Sequence, residues 1–262
     1  RTSPCAFTGN RFEFRAVGSS ASVSGPLVAM NTMLADSLNW IADKLEAELA
    51  TGTSKPVAAV KVLKELMEAH SNVIFGGDGY SAEWHRAAVE DRGLKNLPTS
   101  ADALPAFREE SVVKLFSSTG VLTPVELESR FEVYSEQYLL SIEVESKLVV
   151  DMATTMIYPA AVEYLSQLAS TASSMAALNI TLDSGVAAAV AKEANAMMAA
   201  VTKLSAALEV HDFDSTEAHM QYAAGTLRSL MVEVRGHADT LESLVSDDLW
   251  PLPKYSEMLF IK

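Results

Sequence analysis

The chain has 262 residues, an apolar content of 49% and a formal net charge of −14. This length can bury one large or two small cores, and the acidic balance argues against nucleic acid or an anionic membrane as a partner, since both attract basic surfaces. The lone Cys5 excludes an internal disulfide and a cysteine-based zinc site, which favours a reducing compartment.

Two long uncharged runs, at residues 16–35 and 164–182, are the stretches that come nearest to a membrane span. Both are rich in small polar residues, so neither is typical of a segment that crosses a bilayer. We expect no membrane partner.

Positive charge is concentrated at the start of the chain. Residues 1–15 carry three Arg and one Glu, a net charge of +2, and the remaining residues carry 17 basic and 33 acidic groups, a net charge of −16. This short segment is therefore the best candidate for binding an anion.

The segment at residues 10–17 alternates charged and aromatic residues. As a β-strand it would place Arg11, Glu13 and Arg15 on one face and two Phe on the other, because side chains alternate between faces. Two interpretations fit this row. It could hold a polyanion together with a divalent cation, since Arg pairs with phosphate oxygens and Glu can bind Mg²⁺, or it could form a salt-bridge ladder on a surface strand.

A loop over residues 1–9 and a small-residue linker over 18–25 flank this predicted strand. A helix is predicted to begin at Pro26 and to end near Gly52, which suits a left-handed helix terminus. Its apolar residues are spaced by three and four, so we expect them to face a core. They are Leu27, Met30, Leu34, Leu38, Ile41, Leu45 and Leu49.

A second helix is predicted over residues 56–70, followed by a glycine-rich loop at 76–79. The loop lacks the Gly-Lys-Ser/Thr ending of a phosphate-binding loop, so a plain turn is the simpler interpretation. Ser81 is expected to cap the next short helix, and the histidines do not share a spacing that suits a metal site.

A long helix is predicted from Thr123, where Glu126 completes a capping box, with a kink or restart at Pro159. Helical patterns over 160–178 and 186–208 follow, and a further capping box at 214–217 opens a helix that reaches about residue 245. Short turns join these elements, which favours an antiparallel bundle of about 120 residues.

The predicted fold class is therefore mainly α, with one or two N-terminal strands before a large antiparallel helical region. Four segments are expected: a catalytic-sheet and active-site segment at 1–24, a helical part of the catalytic domain at 25–122, a bundle of long helices at 123–248, and an extended tail at 249–262.

The amino-acid sequences of several segments resemble the C-terminal portion of the catalytic region of type III glutamine synthetases. The first is Arg-Thr-Ser-Pro followed by Phe-Thr-Gly-Asn-Arg-Phe-Glu-Phe-Arg, and the others lie at residues 75–85, 124–160 and 249–260. The resemblance implies a glutamate–ammonia ligase that uses ATP and Mg²⁺ or Mn²⁺ and forms a γ-glutamyl phosphate.

The resemblance also implies roles for four residues. Arg1 and Arg15 would be catalytic and stabilise the transferred phosphoryl group, Arg11 would bind the nucleotide phosphates, and Glu13 would bind the metal ion. Shorter bacterial members carry another phosphate-binding Arg five residues after the first, and this chain has Ala6 there.

Members of this family are longer, so we expect these residues to be the downstream part of a larger polypeptide and to be inactive alone. Glutamate, ammonia and ATP are the implied small-molecule partners, and a dodecamer of two hexameric rings is the implied assembly, in the cytoplasm or, in an alga, the plastid stroma. The alternative is a stand-alone helical scaffold or regulatory module derived from the enzyme.

Overall fold

The computed structural model describes residues 5–7, 12–14, 22–71 and 78–259, and for 5–7, 12–14, 255 and 256 it describes the backbone alone. The described chain is mainly α-helical, which confirms the predicted class. Within these residues no helix is both long and apolar enough to cross a bilayer.

Two short strands pair near the start of the chain. β1 is Cys5–Phe7 and β2 is Phe12–Phe14, and the two run antiparallel with Ala6 opposite Glu13. β2 falls in the middle of the strand that the alternation of residues predicts. β1 lies where we expected a loop. Pairing with β2 gives the backbone groups of β1 hydrogen-bond partners, which explains why it is a strand. That these strands belong to a catalytic sheet remains a prediction.

The helices follow in chain order. The first five are α1 Ser24–Ala50, α2 Lys55–Ala69, α3 Ala82–Glu90, α4 Ser100–Ala103 and α5 Glu110–Ser118, with a 3₁₀ turn at Leu104–Arg108. The long helices are α6 Pro124–Met152, α7 Tyr158–Ala176, α8 Gly185–Leu208, α9 Thr216–Tyr222 and α10 Arg228–Leu244. A 3₁₀ turn at Asp247–Leu249 and α11 Tyr255–Leu259 complete the chain.

The chain divides into two compact units. The first contains residues 1–98 and 105–131, and the second contains 99–104 and 132–262. The division falls inside α6, whose first two turns belong to the first unit. The four functional segments predicted from the sequence remain a prediction. They were defined by motifs and composition, whereas the two units are defined by contacts within the structure.

Local capping explains where several helices begin and end. The Thr123 hydroxyl accepts a hydrogen bond from the backbone N–H of Glu126, and the Glu126 carboxylate accepts one from the backbone N–H of Thr123, which is the predicted capping box. Ser81 caps α3 as predicted, and Gly52 adopts a φ of 87° after α1. At α9 the cap is Ser215, one residue later than the predicted Asp214.

The apolar stripe of α1 was predicted to face a core, and for four of its seven residues this prediction is wrong, while Met30, Ile41 and Leu45 are half-buried. Leu27, Leu34, Leu38 and Leu49 are exposed, and the buried residue of α1 is Thr32. Periodicity shows that a helix has an apolar side, but it does not show whether the rest of the chain covers that side.

Two π-helical segments join shorter helices into long ones. Ala153–Ile157 connects α6 to α7, and Ala223–Leu227 connects α9 to α10. The first lies directly before Pro159, which has no backbone N–H, and Tyr158 N–H there donates to the carbonyl of Ala153. The predicted reset at Pro159 therefore takes the form of a π segment, and the helix continues to Ala176.

The core of the second unit is built around α8, which contacts α7 and α10. Its buried residues recur at intervals of three and four, as on one side of a helix, and three of the seven are alanines, which allow neighbouring helix backbones to approach closely. They are Val190, Ala194, Met197, Ala200, Val201, Leu204 and Ala207.

The tail packs against the same core through Trp250, which is buried. Residues 250–254 have no helix, but 255–259 form α11, whereas the sequence suggested extended chain over the whole tail. Lys254 forms an ion pair with Asp247. The tail is therefore anchored at its beginning by an aromatic side chain and an ion pair.

Removing side-chain volume from α8 tests this core. We expect Leu204→Ala, at a fully buried position, to lower the free energy of unfolding by about 2–5 kcal/mol, because it removes apolar contacts and leaves a cavity. Urea denaturation followed by circular dichroism measures the change. Val232→Ala, at an exposed position of α10, is the control and should stay within about 0.5 kcal/mol. Equal effects of the two variants would contradict the central place of α8.

Candidate functional site

The predicted site residues lie at the start of the chain. Arg1, Arg11 and Arg15 are outside the described residues, and Glu13 belongs to β2, where the backbone is described. The roles predicted for these four residues therefore remain predictions, and the structure contributes the backbone register around Glu13.

That register places Ala6 directly opposite Glu13. Backbones of directly opposed residues in an antiparallel pair lie about 4.5–5.5 Å apart between Cα atoms. Position 6 is where shorter bacterial members of the family that the sequence resembles carry an additional Arg. Ala6, which differs from the Arg of those members, thus lies beside Glu13, the residue that the family resemblance assigns to a metal ion.

The remaining described residues do not form a metal site of their own. In the ranges 22–71 and 78–259 there is no group of three or more His, Cys, Asp or Glu side chains placed to hold one ion.

The described end of the glycine-rich loop is a turn. The backbone N–H of Tyr80 donates to Oδ1 of Asp78 over 3.0 Å, and Nε2 of His85 lies 3.2 Å from the carbonyl oxygen of Gly79. The histidine therefore links α3 to the turn before it. This arrangement supports the interpretation of residues 78–81 as a structural turn.

An open groove in the second unit is lined by three glutamates. Its volume is about 340 Å³, and its lining comes from α6 and the start of α9. The lining residues are Glu132, Glu136, Leu139, Leu140, Glu143, Thr216 and His219. The groove favours cationic groups by its charge.

His219 is held at the edge of this groove by an aromatic neighbour. Its ring stacks on Phe213 with centroids 4.3 Å apart and planes 11° from parallel, and its Nε2 lies 4.0 Å from Oε1 of Glu143. Stacking fixes the orientation of the ring. The sequence interpretation of His219 as a structural residue is consistent with these contacts.

A second histidine joins two helices of the bundle. Nδ1 of His237 in α10 lies 2.8 Å from Oε2 of Glu193 in α8, and both side chains are largely covered. The hydrogen bond to His237 is the main reason that the pKa of Glu193 is lowered from its usual value, and Lys192 adds a smaller effect of the same sign. Sequence reasoning missed this pair because its members are 44 residues apart.

Asp102 makes a comparable link across a longer distance in sequence. Its carboxylate accepts hydrogen bonds from the side chains of Thr99 and Gln221, which lower its pKa. The backbone N–H of Thr99 also donates to the Asp102 carboxylate, which completes the capping box of α4, while the Gln221 bond joins α4 to α9. These described carboxylates bind neighbouring helices together, which leaves the N-terminal segment as the candidate site for chemistry.

Comparisons with known proteins show which family the helical region resembles. Residues 58–176 match the family model of the glutamine synthetase C-terminal domain, a match that begins in α2 and ends where α7 ends. The segment that carries Arg1, Arg11, Glu13 and Arg15 precedes the matched range.

Curated relatives are similar over the whole chain. A type-3 glutamine synthetase from Dictyostelium discoideum is 38% identical over 271 residues, which covers 100% of this chain and 37% of the relative. A glutamine synthetase from Bacteroides fragilis is 34% identical over 272 residues, with the same two coverages, and one from Butyrivibrio fibrisolvens is 32% identical over 266 residues. The chain thus spans 37% of the length of these relatives.

The pairing of Glu193 with His237 predicts a dependence of stability on pH. A lowered pKa in the folded state means that ionised Glu193 stabilises the fold above the usual carboxyl range, and that this stabilisation is lost as the pH falls through the folded pKa. The stability difference between the wild type and Glu193→Gln should therefore be larger at pH 7 than below about pH 4.

Thermal unfolding at several pH values measures this difference. Glu163→Gln, at an exposed position of α7, is the matched control and should show a smaller change with pH. A difference between the wild type and Glu193→Gln that stays constant from neutral to acidic pH would contradict the proposed role of the ionised pair.

Proposed function

Because the chain belongs to the type III glutamine synthetase family, we propose that it is the C-terminal part of an ATP-dependent glutamate–ammonia ligase. The observation that carries this proposal is similarity along the full chain to a type-3 glutamine synthetase at 38% identity. The similarity includes the N-terminal segment, which a helical scaffold has no evident reason to retain.

The proposed chemistry is phosphoryl transfer from ATP to the γ-carboxylate of glutamate, followed by attack of ammonia on the γ-glutamyl phosphate. Such transfers are accelerated mainly by positioning and by neutralising the charge that develops on the phosphoryl oxygens. Arginine suits this task because its planar guanidinium remains charged and donates two parallel hydrogen bonds to oxygen pairs.

Each residue of the segment has a distinct proposed role. Arg11 binds the nucleotide phosphates, Arg15 binds the γ-carboxylate and the transferring phosphoryl group, and Arg1 stabilises that group from the preceding loop. Glu13 is one ligand of a Mg²⁺ or Mn²⁺ ion, which supplies positive charge when bound. The absence of a group of three ligands in 22–71 and 78–259 supports placing the other ligands in the rest of the family chain.

The proposed assembly and partners follow from the same relationship. Glutamate, ammonia and ATP are the substrates, and the protein forms a dodecamer of two hexameric rings in the cytoplasm or plastid stroma. The acidic balance of the chain, at −14, supports a function without nucleic acid.

Substitutions in the full-length protein that contains these residues test the site. We expect Glu13→Gln and Arg15→Ala each to lower kcat by about 100-fold or more, because the first weakens the hold on the metal ion and the second removes a guanidinium, and both cations stabilise the transition state. Glutamine formation in the presence of ATP and Mg²⁺ measures the effect. Arg86→Ala removes a guanidinium from an exposed position of α3 and should leave kcat unchanged.

The 262-residue chain expressed alone provides a second test. It should form no glutamine, because it lacks ligands that complete a metal site around Glu13 in the proposed enzyme. Clear turnover by the isolated chain would refute this part of the proposal, and normal activity of Glu13→Gln in the full-length protein would refute the assigned site.

A further inference from the structure

The apolar side of α1 is not explained by the proposed catalytic segment. We call this side the leucine face and define it by Leu27, Leu34, Leu38 and Leu49. The first three leucines are 52%, 51% and 53% exposed, whereas Thr32 of the same helix is 2% exposed. The helix therefore buries a polar residue and leaves four of its five leucines exposed, which is the reverse of the usual pattern, while Leu45 is half-buried.

The leucine face is continuous along the helix. Its residues extend from 27 to 49, a distance of about 33 Å at 1.5 Å per residue. Asp36 and Asp43 fall on the opposite side of α1 at 100° per residue, and both are exposed. An uncharged stripe of this length on an otherwise acidic helix is typical of a surface that another part of a protein covers.

The described neighbours of α1 within its unit are α2 and α5, and the leucine face remains exposed beside them. Two ion pairs connect α1 to α2, Lys44 to Glu65 and Glu48 to Lys61, each at 2.6 Å. Both lie in the C-terminal half of α1, while Leu27 and Leu34 lie in the N-terminal half and Leu38 lies near the middle. The contacts with α2 therefore hold the helix in place without covering Leu27, Leu34 and Leu38.

We propose that the leucine face is the surface on which the preceding part of the family chain packs in the intact protein. This inference rests on the proposed function, under which these residues are part of a longer polypeptide. The chain covers 37% of its relatives, so most of a family member lies outside it and is available as the occupant.

The chain connection also places that occupant near α1. Nine residues, 15–23, separate the end of β2 from the start of α1, and nine residues span at most about 32 Å. The body that completes the site around Glu13 must therefore lie within reach of the N-terminal half of α1.

Site-specific photo-crosslinking in the full-length protein tests the occupant. Replacement of Leu34 by p-benzoylphenylalanine puts a photoreactive apolar group in the middle of the leucine face, and irradiation joins it to the residue that it contacts. We expect a cross-linked product of monomer mass, with the cross-link mapped by peptide mass spectrometry to residues upstream of Arg1. The same replacement at Asp36, on the opposite side of α1, is the control and should give little product.

Three results would overturn the inference. A product of dimer mass joined at residue 34 would show that a second copy covers the face, a cross-link to another part of residues 1–262 would show that this chain covers it, and no product at residue 34 would show that it is free in solution. Glutamine formation by the unmodified full-length protein tests the proposed function separately, so the two failures are distinguishable.

A substitution supplies an independent measurement. Leu34→Asp in the full-length protein should lower Tm by several degrees, because it places a charge in an apolar contact. Asn39→Asp adds the same charge at an exposed position away from the leucine face and should change Tm by about 1 °C or less. Equal Tm values for the two variants would contradict packing at Leu34.

Discussion

The burial of α8 against α7 and α10 is the constraint on which the second unit depends. The buried side of α8 alternates large residues such as Met197 and Leu204 with alanines, so the neighbouring helices can approach closely and still fill the space between them. π segments at Ala153–Ile157 and Ala223–Leu227 connect α6 to α7 and α9 to α10. Close packing of small residues therefore determines which longer side chains can reach each other.

The polar contacts of this unit follow from that packing. Glu193 meets His237 because α8 and α10 lie side by side, and Asp102 meets Gln221 because α4 lies against α9. Both carboxylates have lowered pKa values because hydrogen bonds favour their charged forms. Each contact joins two helices of the same unit.

The proposed site residues and the helical region lie in different segments of the chain, which is consistent with the family assignment. The family model matches residues 58–176. The described part of this range is mainly helical. The proposed site residues precede the range. The helical region would then serve as a support whose outer surfaces meet other parts of a large enzyme. The exposed leucines of α1 fit such a support better than they fit an isolated globular domain.

The sequence alone determined the features whose causes are local. The capping box of Thr123 and Glu126, the cap at Ser81 and the left-handed Gly52 depend on groups within a few residues of each other, and family resemblance identified the candidate site. Only the tertiary structure decided that His237 pairs with Glu193, that Ala6 lies opposite Glu13, and that the leucines of α1 are exposed. Those outcomes depend on which distant elements meet, because periodicity specifies an apolar side of a helix and leaves its neighbour unspecified.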